Sequence, residues 1–121
     1  MVLVDTSVWV AHFREGDSHL QQLLERGRVA CHPFIIGELA CGRLHNRKEI
    51  LSLMEALPPA MMATNDEVMK LIEHRQLMGL GLGYIDVHLL ASALLTPARI
   101  WTKNLSLCSC ASNLNIAYMH P

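Results

Sequence analysis

The sequence is poor in aromatic residues, in charge and in long apolar runs, and each shortage excludes a class of protein. Only 5% of its 121 residues are aromatic and 17% are charged, with a formal net charge of −1. This balance argues against a protein that holds nucleic acid mainly through a broad basic surface. No apolar run approaches the roughly 18 residues of a membrane-spanning helix, and the opening Met1–Asp5 lacks the basic lead of a secretory signal. We therefore expect a cytoplasmic protein that makes no use of a membrane.

Cysteine and histidine are present, but neither forms a recognisable motif. The four cysteines are irregularly spaced, and Cys108-x-Cys110 has no matching second pair, so free thiols are expected rather than disulfides or a zinc knuckle. No His-Glu-x-x-His pattern occurs. The seven histidines are therefore expected to be surface or space-filling residues: His12, His19, His32, His45, His74, His88 and His120.

What the chain has in abundance is apolar residues, which make up 51% of it. Together with the low net charge, this fraction excludes a disordered protein. The length fits one domain, since domains commonly run from about 50 to 250 residues. We expect a single domain over residues 1–121.

Short β-prone runs alternate with longer segments of helical periodicity. We predict strands over 2–4, 29–31, 60–63 and 99–102, with a possible fifth over 116–118. Helices are predicted to be capped by Ser7 and Ser18, to begin at Pro33 and Thr64, and to cover 48–57 and 85–95. The alternation predicts an α/β domain with a mainly parallel sheet. Ligands of such sheets bind beyond the carboxyl ends of the strands, where Asp5 and Thr102 are placed.

Three acidic residues stand among apolar neighbours. Asp5 directly follows Val-Leu-Val, Glu38 has apolar residues one helical turn away on either side, and Asp86 lies between Ile85 and Val87. An isolated acid turned toward a core is costly. A single case is explained by a helix cap or by a misjudged face, and Asp86 alone could simply favour the start of its helix. Three cases from separate segments favour convergence at one site.

Converging carboxylates repel one another and must share protons or bind a cation. Oxygen ligands without Cys or His select hard ions such as Mg²⁺ or Mn²⁺. Such ions accept phosphate oxygens and activate water for hydrolysis. The three acids therefore indicate a metal-dependent enzyme that acts on phosphate esters.

Four segments resemble the PIN domain family, in particular its VapC-type toxin ribonucleases. They are Val-Leu-Val-Asp-Thr-Ser-Val-Trp at 2–9, Ile-Ile-Gly-Glu-Leu-Ala-Cys-Gly around Glu38, Tyr-Ile-Asp-Val-His-Leu-Leu-Ala-Ser-Ala around Asp86, and Ile-Trp-Thr-Lys-Asn at 100–104. The resemblance implies a three-layer α/β/α sandwich that acts as a Mg²⁺- or Mn²⁺-dependent endoribonuclease. It also implies the toxin of a bacterial toxin–antitoxin pair, with a cognate antitoxin protein as partner and a homodimer as the common assembly.

By position, the resemblance makes Asp5, Glu38 and Asp86 the metal ligands. Thr6 or Ser7 would orient Asp5 or a water through its hydroxyl, and the helix-cap role of Ser7 is compatible with this. Thr102 would form a hydrogen bond within the site, although a buried threonine at a strand end is an equal alternative.

Asn104 departs from the family pattern, which usually has a fourth acid at this position. Its amide oxygen could still bind a metal or a water, but no Asp or Glu follows Asp86 to replace the missing charge. A second metal ion is therefore expected to bind weakly, and Asn104→Asp is expected to tighten Mg²⁺ binding.

The substrate implied by the resemblance is RNA, with Arg14, Arg43, Arg47, Lys48 and Lys103 as candidate phosphate contacts or simply as solvated side chains. A dimer would bury apolar residues of the second and third helices or of the helix over 48–57. One alternative is a weak or inactive PIN-like module that binds RNA or an antitoxin without cleaving. Another is a small phosphatase with Asp5 as nucleophile, although Ser7 stands where a second Asp is wanted.

Overall fold

The computed structural model describes residues 1–119, and the predicted role of His120 lies outside the described residues. Three strands and seven helices follow one another within this part of the chain. Their bounds are β1 (Val2–Val4), α1 (Thr6–Glu15), α2 (Ser18–Glu25), β2 (Val29–Ala30), α3 (Pro33–Cys41), α4 (Arg47–Glu55), α5 (Asn65–Arg75), α6 (Tyr84–Leu95), β3 (Arg99–Trp101) and α7 (Leu105–Asn113).

The sheet has the order β2-β1-β3, and both strand pairs are parallel. Leu3 lies opposite Ala30 on one side and Ile100 on the other. All three residues of β1 are buried, as expected for a central parallel strand that helices cover on both faces. The predicted α/β class with a parallel sheet between helical layers is confirmed.

Two predicted strands did not form as expected. Instead of a strand over 60–63, the chain makes a single bridge between Cys31 and Pro59, with Ala60 N–H donating to the Cys31 carbonyl at 2.9 Å. The segment 116–118 pairs with β3 through one bridge, Ile100 to Ala117. These pairings extend the sheet on both sides by isolated contacts rather than by full strands.

The predicted helix caps were wrong by one or two residues at the first two helices. Asp5 occupies the cap position of α1, and Asp17 caps α2 by accepting the Leu20 N–H. The capping box predicted for α5 is confirmed, since Thr64 and Glu67 exchange hydrogen bonds. Helix α7 was not predicted at all.

The core surrounds the sheet, and its most deeply buried members come from strands and helices alike, including Leu3, Leu20, Ile35, Leu90 and Leu107. All four cysteines are free thiols, as predicted. Within residues 1–119, no helix has the length and apolar character needed to cross a membrane. The parallel order brings the ends of β1 and β3 together, which places Asp5 beside Thr102.

Candidate active site

Asp5 lies at the carboxyl end of the central strand and is only 8% exposed. Its N–H donates to the Trp101 carbonyl at 2.9 Å, which ties the end of β1 to β3. Its Oδ2 accepts hydrogen bonds from Ser7 Oγ at 2.8 Å and from Thr102 Oγ1 at 2.7 Å. These two hydroxyl donors fix the direction of the carboxylate.

The loop after β3 orients both hydroxyls. Lys103 N–H donates to Ser7 Oγ and Asn104 N–H donates to Thr102 Oγ1, each at 3.0 Å. Because each hydroxyl oxygen accepts a backbone N–H, its own proton is directed toward Asp5. Ser7 therefore donates its hydroxyl hydrogen bond to Asp5 and does not cap α1, so the predicted cap role for Ser7 is wrong.

Glu38 lies on α3 and is connected to α1 through Thr6. Thr6 Oγ1 donates to Glu38 Oε1 at 2.9 Å. The Glu38 side chain is exposed, so the prediction that it points toward an apolar helix face is wrong. Since Thr6 directly follows Asp5, this hydrogen bond still links the second acid to the end of β1.

Asp86 lies in the first turn of α6 and is half-buried. Its Oδ2 accepts the Gly83 N–H at 2.9 Å, which satisfies one donor at the start of the helix. The carboxylate also affects α7, because burial and then the nearby charge of Asp86 raise the pKa of the Cys110 thiol. Asp86 thus has the helix-start role that one interpretation of the sequence allowed.

Asn104 caps α7. Its Oδ1 accepts the Leu107 N–H at 3.0 Å, and its backbone N–H donates to Thr102. The amide oxygen that would bind a metal is therefore already an acceptor within the fold. Asn104 therefore connects α7, a helix that the sequence analysis did not predict, with the Thr102 hydroxyl that donates to Asp5.

The donor chemistry of the three acids fits a hard divalent ion, but their arrangement limits how it would bind. Among residues 1–119, no three Asp, Glu, His or Cys side chains are arranged to hold a metal ion together. Mg²⁺ usually takes one or two carboxylates directly and keeps several waters. In the described chain one oxygen of each acid accepts the bonds given above, and the other receives none. The residues therefore fit an ion held partly through water.

Sequence reasoning did not identify a cavity of about 490 Å³ that adjoins Thr6 and Glu38. It lies between α1, α3 and the connection into α4. Its lining residues are Thr6, Val10, Phe13, Arg14, Glu38, Leu39, Gly42, Arg43, Leu44, His45, Asn46 and Ile50. Two candidate phosphate contacts, Arg14 and Arg43, are among them. The sequence signal for the cavity was weak, since it forms only when α1 and α3 pack together.

The model of the PIN domain family matches residues 2–111, a range that contains all the candidate site residues. The chain belongs to the PIN domain family. It is also similar to proteins named Ribonuclease VapC32 from two strains of Mycobacterium tuberculosis, CDC 1551 / Oshkosh and ATCC 25618 / H37Rv. Each is 42% identical over 118 residues, which cover 97% of this chain and 95% of the relative. The resemblance drawn from four short segments is thereby confirmed.

Within this PIN domain, the site residues come from the ends of β1 and β3 and from the starts or faces of α1, α3, α6 and α7. Asp5, Ser7 and Thr102 form one hydrogen-bonded unit, and Thr6 with Glu38 forms an adjacent one. Asp86 is bonded to the backbone of its own helix start rather than to either unit.

Proposed function

We propose that this PIN domain is an endoribonuclease that depends on Mg²⁺ or Mn²⁺ and uses Asp5, Glu38 and Asp86 as metal ligands. The observation that carries the proposal is the fixed carboxylate of Asp5 at the strand end, held by Ser7 and Thr102. The similarity to proteins named ribonucleases supports RNA as the substrate. The low net charge is compatible with this, because a metal ion would offset the acidic residues at the site itself.

The hydroxyl residues of the site act by holding and orienting the carboxylates. Ser7 and Thr102 keep one oxygen of Asp5 occupied and leave the other available to a ligand. Thr6 does the same for Glu38. A bound divalent ion would supply charge neutralisation at the phosphate and lower the pKa of water. The expected products carry 5′-phosphate and 3′-hydroxyl ends.

Exposed cations of the chain are available for the RNA backbone. Arg14, Arg43, Lys48 and Lys103 are all exposed. Arg47 is also exposed, but its Nη2 donates to the Ala40 carbonyl at 3.0 Å. We therefore assign Arg47 to holding α3 against α4, and the other four to phosphate contacts.

We propose that the protein acts in the cytoplasm as the toxin of a toxin–antitoxin pair, with a separate antitoxin chain as its partner. The similarity to VapC proteins supports this role, and four free thiols fit a reducing compartment.

We also propose a homodimer, but on a different surface from the one expected. Helices α2 and α3 expose no large apolar side chain, and α4 exposes only Leu53. Elsewhere in the described chain, most exposed large apolar residues lie in the stretch from just before α5 to the end of α6: Met61, Met62, Met69, Met78, Leu80, Tyr84, Ile85, Leu94 and Leu95. This surface is the better candidate for self-association.

The proposed activity is tested by incubating the protein with RNA in Mg²⁺, in Mn²⁺ and in excess EDTA. We expect cleavage only with metal, and a loss of at least about a hundredfold in Asp5→Ala, since removing a metal ligand removes most of the catalysis. Glu73→Gln is the matched control, because it removes an exposed acid of α5 outside the site. Equal cleavage by the intact protein and by Asp5→Ala would exclude the metal-site mechanism.

One alternative is favoured by a specific observation. Asn104 uses its amide oxygen as a helix cap and adds no charge to the site, which favours a weak or inactive module that binds RNA or an antitoxin. RNA binding without metal-dependent cleavage would support that alternative. A phosphatase with Asp5 as nucleophile would instead form a covalent aspartyl-phosphate.

A further inference from the structure

The cavity beside Glu38 has the size and position of a substrate subsite. Its volume of about 490 Å³ falls within the range of about 300–1,000 Å³ that is common for small-ligand pockets. Thr6 and Glu38, which hydrogen-bond to each other, form one edge of it. A group that occupied the cavity would therefore lie next to the proposed reaction centre.

The inner wall of the cavity is apolar and contains an aromatic ring. Val10, Phe13, Leu39, Leu44 and Ile50 contribute to it. The Phe13 ring stacks on Trp9, with centroids 5.8 Å apart and planes 26° from parallel. Because Trp9 is only 2% exposed, it is held by the core and in turn holds Phe13. The wall therefore contains an aromatic side chain whose position is fixed by the core.

The rim of the cavity is positively charged. Arg14 and Arg43 are exposed and line it, whereas Glu38 is the one acidic residue among the lining side chains. The Arg47–Ala40 hydrogen bond fixes the connection between α3 and α4 that carries Arg43. A planar ligand with attached negative charge suits this combination of an apolar wall and cationic rim.

Asn46 supplies a polar group that the fold itself does not use. It occupies the cap position of α4, yet its side chain makes no capping hydrogen bond. Its backbone is left-handed, with φ 54° and ψ 42°, a conformation that Asn tolerates better than most residues. The amide, which has both a donor and an acceptor, remains available to a ligand in the cavity.

We propose that this cavity receives one nucleobase of a single-stranded RNA substrate, from a nucleotide next to the phosphate that is cut. The base packs on the Phe13 wall, Asn46 pairs with its hydrogen-bonding edge, and Arg14 and Arg43 contact the adjoining phosphates. Unpaired bases are commonly bound by aromatic stacking together with edge hydrogen bonds. The inference rests on the proposed function for its choice of RNA and adds a subsite that gives base preference.

The test measures binding rather than cleavage, so that it can fail separately from the proposed activity. Short labelled oligoribonucleotides of adenosine, cytidine, guanosine or uridine are titrated in EDTA and followed by fluorescence anisotropy. We expect the intact protein to bind one of the four more tightly than the weakest by about tenfold, the scale of one good base contact.

Asn46→Gly is the decisive variant, because glycine keeps the left-handed backbone and removes only the amide. We expect it to retain its thermal stability and to bind the four oligonucleotides alike. Phe13→Leu should weaken all four by about tenfold, because stacking is available to every base and is lost with the ring. Arg43→Gln should weaken all four equally and reduce the salt dependence by about one charge.

An unchanged base preference in Asn46→Gly, an unchanged affinity in Phe13→Leu, or no preference in the intact protein would overturn the proposal. Any of these results would assign the cavity to another occupant, such as a segment of a protein partner. Metal-dependent cleavage in that case would leave the proposed activity standing. A base preference that Asn46→Gly abolishes, in a protein that never cleaves RNA, would support the subsite and overturn the activity.

Discussion

Thr102 donates a hydrogen bond of 2.7 Å from its Oγ1 to Oδ2 of Asp5, across 97 residues of sequence. The contact exists because β1 and β3 run parallel and end side by side. The same hydroxyl accepts the Asn104 N–H, so the strand ends, the following loop and α7 are joined through one side chain. The orientation of Asp5 therefore depends on the loop after β3.

Thr102→Val should impair RNA cleavage without disrupting the fold. Valine has nearly the shape of threonine but cannot donate to Asp5, so the carboxylate loses one of its two hydroxyl donors. We expect cleavage to fall by about tenfold and the free energy of unfolding by about 1 kcal/mol. Thr102→Ser restores the donor and should recover most of the activity. A Thr102→Val protein with normal cleavage at every metal concentration would show that Thr102 does not position Asp5.

Asn104→Asp should tighten Mg²⁺ binding. Aspartate keeps an oxygen that can cap α7 through Leu107 N–H, and it adds the negative charge that the site lacks. Isothermal calorimetry of both proteins measures the effect, with a severalfold lower dissociation constant expected for the variant. Equal affinity in the two proteins would contradict this explanation. Asn104→Ala serves as the control, because it removes the oxygen that caps α7. Loss of this cap should lower the free energy of unfolding by about 1 kcal/mol.

Acid should destabilise the protein through His32. Burial, and secondarily His88, lower the pKa of His32 from 6.5 to about 4. Between about pH 6.5 and 4, His32 is protonated in the unfolded chain but stays neutral in the folded protein. The contribution of His32 to the free energy of unfolding is therefore fully present above pH 6.5. It is lost as the pH falls toward 4, with a slope of at most about 1.4 kcal/mol per pH unit.

Denaturant unfolding at several pH values tests the role of His32. Its Nδ1 accepts the Phe34 N–H at 3.0 Å, so His32→Asn keeps a capping acceptor and removes the titration. The variant should show a flatter pH dependence between 6.5 and 4, whatever its overall stability. His74→Asn, at an exposed position, should behave like the intact protein. An identical slope in His32→Asn would assign the acid sensitivity to other groups.

Local patterns were sufficient to predict β1, α5 and α6, because their periodicity, caps and turns agree with one another. Local patterns failed where tertiary contacts determine the hydrogen-bond partner or the exposure of a side chain. Ser7 has the sequence features of a helix cap, but its hydroxyl donates to Asp5 two residues earlier and accepts the Lys103 N–H, which only folding brings near. Glu38 has apolar neighbours in sequence, yet it faces outward and bonds Thr6.

Helix α7 was missed for a related reason. Its sequence, LSLCSCASN, is rich in serine and cysteine, which have only moderate helix propensity. The signal lay in Asn104 as a cap, followed by the buried residues Leu107, Cys110 and Ala111 at helical spacing. The family resemblance draws attention to Asn104 only as a replacement for a fourth acid. The candidate site residues could thus be named from the sequence and remain predictions, whereas their hydrogen-bond partners could be identified only from the fold.

Direct measurement of Mn²⁺ binding tests the central claim, that carboxylates at the ends of the strands hold a divalent ion. Free Mn²⁺ is followed by electron paramagnetic resonance as the protein is added, for the intact chain, Asp5→Asn and the control Glu73→Gln. We expect the intact protein and Glu73→Gln to bind the ion equally, and Asp5→Asn to bind it at least about tenfold more weakly, as loss of a charged ligand implies. Equal binding by all three proteins would contradict the assignment of Asp5 as a metal ligand.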